Sequence, residues 1–282
     1  MLRDRSHLHI IPSAHQHIIP SSNHGMSKNK LSKFEEVHAL PNVVEVPYAE
    51  LLQAPYKLRG KWSSQFFDND FPVVLELGCG KGEYTVGLAE NFPEKNFIGI
   101  DIKGSRIWTG ATAAHERGLK NAGFLRTYVE LLPSFFGPDE VSEIWITFPD
   151  PQMKKGRKRL TSTKLLAHYS KVMKPGGIVH LKTDSNFLYQ YTSALIHLNG
   201  FNVEAETDDL YASAYADEIM GIKTYYEQQW LSRGLTIKYL KFIPHAENLI
   251  EPDLEIEWDE YRSFGRDRRS RVVGKNDQLN QV

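Results

Sequence analysis

From Phe71 onward the chain repeats one pattern: a short apolar run, a turn, then a stretch whose apolar residues recur at helical spacing. Strands read at Val73–Leu77, Phe97–Ile100, Phe124-Leu125, Glu143–Phe148 and Ile178–Lys182. Helical stretches lie between them, after Gly82 (with Tyr84, Val86, Leu88 and Ala89), through Arg106–Arg117 and through Thr161–Met173. Phe201–Ala205 and Thr236–Leu240 read as a sixth and seventh strand. Strands separated by helices this long cannot pair as hairpins. They build a mostly parallel sheet covered by helices on both faces. The expectation is an α/β fold with a seven-stranded, mostly parallel sheet. In such a sheet ligands bind beyond the carboxyl ends of the strands, near the point where strand order reverses. Gly78–Gly82, Asp101, Pro149–Pro151 and Thr183-Asp184 all follow strand ends, so one crevice can contain them.

Composition narrows the function classes. The 282 residues carry 34 basic and 35 acidic side chains, so any nucleic-acid contact must come from a local patch. The single cysteine, Cys79, excludes a disulfide framework within the chain and a multi-cysteine metal site, and fits a reducing cytoplasm. No apolar run has the length of a membrane helix. Histidines and serines interrupt the first 25 residues, which read as a disordered extension rather than a signal peptide, and Met26 as the natural start. A lead-in segment over 26–70, the main domain over 71–242 and a C-terminal tail over 243–282 complete the division. In the tail an acidic stretch, Glu251–Glu260, precedes a basic one, Arg262–Arg271. The basic stretch reads equally as an RNA contact or a solvated tail.

The first strand runs into Gly78-Cys79-Gly80-Lys81-Gly82, a glycine turn that lets the backbone approach a ligand closely. Its Gly-x-Gly-x-Gly spacing differs from the usual dinucleotide fingerprint. Asp101 ends the second strand, where a carboxylate accepts hydrogen bonds from a ribose diol. Glu76 sets a negative charge just before the loop. That charge opposes a pyrophosphate and suits a cationic ligand such as the sulfonium of S-adenosylmethionine. A nicotinamide-dependent dehydrogenase is thereby disfavoured.

Phe148-Pro149-Asp150-Pro151 forms a rigid polar ledge after the fourth strand. The loop beyond it, Met153–Arg159, holds five basic residues in seven. Such a run is usually a solvated face, but this one borders the expected crevice, where phosphate contact is favoured. That loop disfavours a small-molecule or protein-glutamine methyltransferase. The intact carboxylates disfavour a non-catalytic RNA-binding module.

Taken in order, Leu75–Gly82, Gly99-Ile100-Asp101, Phe148–Pro151, Lys182-Thr183-Asp184 and Thr224–Glu227 resemble the bacterial tRNA (guanine-N7-)-methyltransferase family over roughly residues 26–242. The resemblance implies a Rossmann-like class I methyltransferase fold, S-adenosylmethionine as cofactor, tRNA as partner and no metal. It leaves a monomer or a homodimer open. It implies cofactor contacts at Glu76, Gly78, Gly80, Gly82, Asp101 and Asp150, and substrate contacts at Lys154, Asp184, Thr224, Tyr225, Tyr226 and Glu227. The segment Lys155–Leu160, with Lys155, Arg157, Lys158 and Arg159, corresponds to the family's RNA-contacting loop. The family's target is the guanine of the tRNA variable loop. Two positions depart from its pattern: Thr127-Tyr128 stand where an Asp or Asn is usual near the adenine, and Gln152 stands where tryptophan is frequent. The first departure leaves a backbone amide, Thr127 or Tyr128 to make the adenine contact, with Tyr128 counted among the cofactor-binding residues. Guanine N7 has an in-plane lone pair and no proton, so the reaction needs no general base. Asp184 and Asp150 are the expected catalytic groups, stabilising the positive charge that develops on the purine.

Overall fold

The computed structural model describes residues 36–217, 220–245 and 247–260. The expected N-terminal extension, the start at Met26 and the basic stretch Arg262–Arg271 lie outside those residues. The strands are β1 (Val43–Glu45), β2 (Val73–Leu77), β3 (Asn96–Asp101), β4 (Ala122–Arg126), β5 (Val141–Thr147), β6 (Met173–Thr183), β7 (Asn202–Thr207) and β8 (Lys238–Ile243). They form one eight-stranded sheet in the order β1-β4-β3-β2-β5-β6-β8-β7. All pairs from β1 to β6 are parallel, and β8 runs antiparallel between β6 and β7. The sheet thus has one strand more than the sequence reading gave. The addition is β1, which pairs with β4 at the edge; three residues are too few to display a period of two.

Seven α-helices are described: α1 (Tyr48–Leu51), α2 (Glu83–Asn91), α3 (Gly104–Glu116), α4 (Leu132–Phe135), α5 (Thr163–Tyr169), α6 (Asn186–Leu198) and α7 (Tyr225–Leu231). Alternation along each strand divides the core between the two faces. On one face Leu75, Leu77, Ile144, Ile146 and Leu181 pack with Leu166 and Tyr169 of α5 and Leu188, Tyr191 and Leu195 of α6. On the other, Val74, Phe97, Trp145 and Tyr239 pack with Tyr84 and Leu88 of α2 and Ile107 and Ala111 of α3. Glu76 shares the face of Val74 and is buried in an otherwise apolar strand.

The turn expected at Lys174–Gly177 lies inside β6. Val141 pairs with Met173 and Glu143 with Ile178, so the intervening residues bulge, with Lys174, Pro175 and Gly176 exposed and Gly176 at φ +74°. The helix expected over Thr161–Met173 is shorter, because Ser170 ends α5 and Met173 already belongs to the sheet.

The chain winds outward through β2, β3 and β4, then returns to place β5 on the other side of β2. The order therefore reverses between β2 and β5, and a crevice opens beyond their carboxyl ends.

Candidate active site

The glycine turn is held by the strand beside it. Both the Gly78 and Cys79 amides donate to the Ile100 carbonyl, at 2.8 and 3.0 Å, and the Gly82 amide donates to the Cys79 carbonyl at 2.8 Å. Gly78, Gly80 and Gly82 all have positive φ, the last at +69°. A methyl group at Gly82 would lie 2.5 Å from the Phe124 ring, whereas one at Gly80 would meet only a backbone oxygen at 3.9 Å. Gly82 is therefore glycine for packing. Gly80 keeps space free at the crevice. Asp101 locks the turn: its Oδ2 accepts from the Gly80 amide at 3.0 Å and its Oδ1 from the Lys103 amide at 2.8 Å.

Glu76 lies beneath the turn. Its Oε2 accepts from both the amide and the hydroxyl of Thr85, and its Oε1 from the Thr147 hydroxyl at 2.6 Å. These bonds stitch β2 to α2 on one side and to the end of β5 on the other. Burial nevertheless outweighs them and pushes the Glu76 carboxyl up to about 7. A buried carboxylate at that value is poised to receive a cation. The Cys79 thiol is pushed well up by burial and by the neighbouring carboxylates, so it is no nucleophile.

Next to Asp101, Ile102 and Tyr128 present exposed apolar surface, 45% and 61% exposed. They line a recess of about 230 Å³ with Tyr48, Leu51, Arg126 and Thr127. Thr127 itself is buried, so of the pair after β4 the Tyr128 side chain is the one presented. A carboxylate beside two apolar faces has the chemistry of a ribose-and-purine site. With Glu76 below the open glycine turn, the donor set fits S-adenosylmethionine.

Across the crevice, Phe148 donates its amide to the Lys182 carbonyl at 2.8 Å. Phe148 and Gln152, both at φ +48°, bracket the ledge. Asp150 is exposed on it, and its Oδ1 accepts from the Gln152 amide at 3.0 Å. The basic loop continues as a single 3-10 turn, Gly156–Lys158. Lys154, Lys155, Arg157 and Lys158 are exposed, with the Lys154 ammonium 5.3 Å from the centre of the Trp258 ring. Arg159 turns inward instead. Its guanidinium lies over the rings of Phe187 and Tyr191, at 4.8 and 4.2 Å, and donates to the Met153 carbonyl. It anchors the loop.

Asp184 follows β6 and is 1% exposed. The Lys238 ammonium approaches its carbonyl at 3.4 Å and interacts electrostatically with its carboxylate. Thr224 caps α7 by accepting from the Glu227 amide at 3.2 Å. Glu227 is wholly buried and pairs with the equally buried Lys182 ammonium at 3.0 Å. Tyr211 also donates to Glu227 Oε1, and among the described residues Oε2 has no hydrogen-bond partner. Lys182 further donates to the Met220 carbonyl at 2.7 Å, tying the preceding loop to β6. Burial pushes the Lys182 ammonium down and the Glu227 carboxylate opposes this. Tyr225 and Tyr226 are about half exposed. The Tyr225 amide donates to Glu83 at 3.0 Å, and the Lys81 ammonium lies 4.7 Å from its ring centre. The start of α7 thus rests on the glycine turn.

Glycine turn, Asp101, ledge and Asp184 all surround the switch point, as their strand ends require. Thr224 and Glu227 adjoin it from behind, with their side chains engaged inside the protein. Tyr211, Thr85, Thr147 and Glu83 were not singled out by sequence reasoning, and Lys182 entered only within the Lys182-Thr183-Asp184 motif, with no role of its own. Among the described residues no group of His, Cys, Asp and Glu is arranged to hold a metal ion, and no helix is long and apolar enough to cross a membrane.

Residues 70–240 match a family model described as "Putative methyltransferase". The chain is 58% identical over 246 residues to the tRNA (guanine-N(7)-)-methyltransferase of Bacteroides thetaiotaomicron, covering 87% of this chain and 98% of that protein. It is also 58% identical to the enzyme of that name from Porphyromonas gingivalis, over 84% of this chain and 99% of the relative. Among solved structures, the 16S rRNA methyltransferase KamB superposes with a TM-score of 0.50 at 19% identity, covering 71% of this chain and 94% of that one, which establishes likeness of fold.

Proposed function

The chain belongs to the tRNA (guanine-N(7)-)-methyltransferase family, and from that premise we propose how its own residues carry a methyl group from S-adenosylmethionine to guanine N7 in tRNA. The observation that carries the reading is the convergence at one sheet end of a buried carboxylate under a glycine turn, a desolvated carboxylate at Asp184 and an exposed basic loop.

S-adenosylmethionine supplies an electrophilic methyl group on a cationic sulfur. Glu76 sets negative potential beneath the glycine turn. Asp101 stands where the ribose hydroxyls need an acceptor, and Ile102 and Tyr128 flank the place of the adenine. Gly80, open above its Cα, lets the backbone come close. Guanine N7 attacks with its own lone pair, so the protein removes no proton. Positive charge leaves the sulfur and appears on the purine. Asp184, held away from water, favours that change more strongly than a solvated carboxylate would, and Asp150 adds to it from the ledge. Positioning supplies the rest, since the three reacting atoms must lie in line. Lys154, Lys155, Arg157 and Lys158 face solvent beside the ledge, where tRNA phosphates are gripped. Tyr225 and Tyr226 offer rings to the base, and Glu227, buried and paired with Lys182, holds the start of α7 that presents them. The target is the guanine of the variable loop.

Incubation with methyl-labelled S-adenosylmethionine and unmodified bulk tRNA, followed by digestion to nucleosides, tests the reading directly. Label in 7-methylguanosine is expected. Label in another nucleoside would overturn the target atom.

A further inference from the structure

Beyond β8 the chain does not leave the domain. It lies along α6 in reverse, from that helix's carboxyl end to its amino end. At the first point Asn199 donates to the Ile250 carbonyl at 2.9 Å and accepts from the Ile250 amide at 2.7 Å. Midway, Glu251 accepts from the hydroxyls of Thr163, at 2.6 Å, and Tyr191. Leu254, Ile256 and Trp258 then line one recess with Arg159, which is stacked on Phe187 and Tyr191. The strap ends at Asp259, which is buried. Its Oδ1 accepts from the Phe187 amide at 3.1 Å, and its Oδ2 from the Ser185 hydroxyl. All of this lies past residue 240, the last that the family model matches.

The first turn of a helix has amides with no intrahelical acceptor. In α6, Ser185 takes the Leu188 amide at 3.0 Å and Asp259 takes that of Phe187. Asp259 is thus a second cap, brought in from 72 residues away. A carboxylate is favoured there by the partial positive charge of the helix end. Asp184 sits one residue before the Ser185 cap. Lys238 lies in the field of both carboxylates.

We propose that Asp259 is a positioning residue for methyl transfer: by occupying the amino end of α6 and clamping Ser185, it fixes the Thr183–Ser185 turn and with it the place of Asp184. The strap that carries it also seats Arg159 and, through Trp258, Lys154, so that one segment holds both the carboxylate turn and the phosphate-gripping loop. The proposal rests on the reading of Asp184 given above.

The test is a double-mutant cycle of Asp259→Ala with Asp184→Asn on the full chain, read as single-turnover methylation of tRNA with enzyme in excess. Cofactor affinity by calorimetry and tRNA affinity by filter binding accompany each variant. Asp259→Ala is expected to lower the transfer rate about 10–100-fold, with both affinities within about twofold. In the Asp184→Asn background it is expected to lower it no further. Asp259→Asn, which keeps an acceptor for the Phe187 amide, is expected to recover most of the rate, and it decides the matter if the alanine variant does not fold. An equal loss in both backgrounds would make Asp259 merely structural and overturn the proposal. Faster transfer or tighter tRNA binding by Asp259→Ala would overturn it too, making the strap an acidic cover over the basic loop. A wild-type rate in Asp184→Asn alone would remove the premise, and is distinguishable because no Asp259 variant is needed to see it.

Discussion

The two sides of the crevice are built differently. Around the glycine turn the contacts run mostly to backbone: the turn bonds to the neighbouring strand, and Asp101 holds the amides of Gly80 and Lys103. On the β5–β6 side they are long-range and charged. Lys182 meets Glu227 across 45 residues of chain, and Ser185 meets Asp259 across 74. Under the proposed function, backbone turns hold the cofactor, while the side that takes the RNA fixes its loops with buried charge, the more fragile material.

Removing one member of the buried pair should therefore do the most damage. Lys182→Met leaves the Glu227 carboxylate inside the protein, with Tyr211 as its one remaining hydrogen-bond partner among the described side chains. A loss of about 3–5 kcal/mol is expected, read by urea unfolding. Lys182→Met combined with Glu227→Leu should regain most of that stability without regaining activity. If Lys182→Met unfolds at the wild-type urea concentration, the contrast between the two sides fails.

On the cofactor side the largest effect belongs to Gly82. Alanine there is forced to φ +69° and drives its Cβ into the Phe124 ring. About 2–3 kcal/mol of destabilisation follows from overpacking. Gly80→Ala has the same backbone difficulty without the clash, so it should cost less stability and more cofactor affinity. Equal losses of stability in the two variants would mean that the turn is strained rather than packed.

This difference also explains what was legible beforehand. Strands β2, β3, β5 and β6 and the residues at their ends announced themselves, because periodicity and glycine spacing are local signals and the switch point follows from topology. β1 was missed because three residues show no alternation. Arg159 was grouped with its basic neighbours because nothing in a run of like charges tells which member will find Phe187 and Tyr191 some 30 residues on. The strap was invisible for the opposite reason: an acidic, proline-containing stretch looks solvated until its partner, the amino end of α6, is folded. Thr224 and Glu227 entered only through the resemblance, and their engagement with the helix cap and with Lys182 is a tertiary fact that no spacing displays.

Proton linkage gives a smaller effect, again on the cofactor side. The Glu76 carboxyl is raised to about 7 by burial, so the folded protein binds this proton more tightly than the unfolded chain does. The stability it contributes is full below the ordinary carboxyl range and is lost as pH rises through about 7. A cation placed above it favours the carboxylate and reverses the preference. Cofactor affinity should then weaken by roughly tenfold between pH 8 and pH 6, with proton uptake visible on dissociation at pH 6.5. Titration calorimetry in two buffers of different ionisation enthalpy measures both. A pH-independent affinity in wild type, or an unchanged slope in Glu76→Gln, would separate Glu76 from the cofactor.

The smallest effect tests the other side at its surface. Lys155, Arg157 and Lys158 are exposed, while Arg159 is stacked inside. Each exposed residue that neutralises a phosphate releases counterions, so its loss should lower the salt dependence of tRNA binding by about one unit of slope. Arg157→Ala is accordingly expected to weaken binding a few-fold at low salt and hardly at all at high salt. Arg159→Ala should leave the slope unchanged, because its charge is spent on aromatic rings and a carbonyl, and should weaken binding equally at every salt concentration by loosening the loop. Filter binding across a salt series distinguishes the two. Parallel changes in both variants would mean that Arg159 leaves its shelf when RNA arrives, making the inward stack a resting position of the loop rather than its anchor.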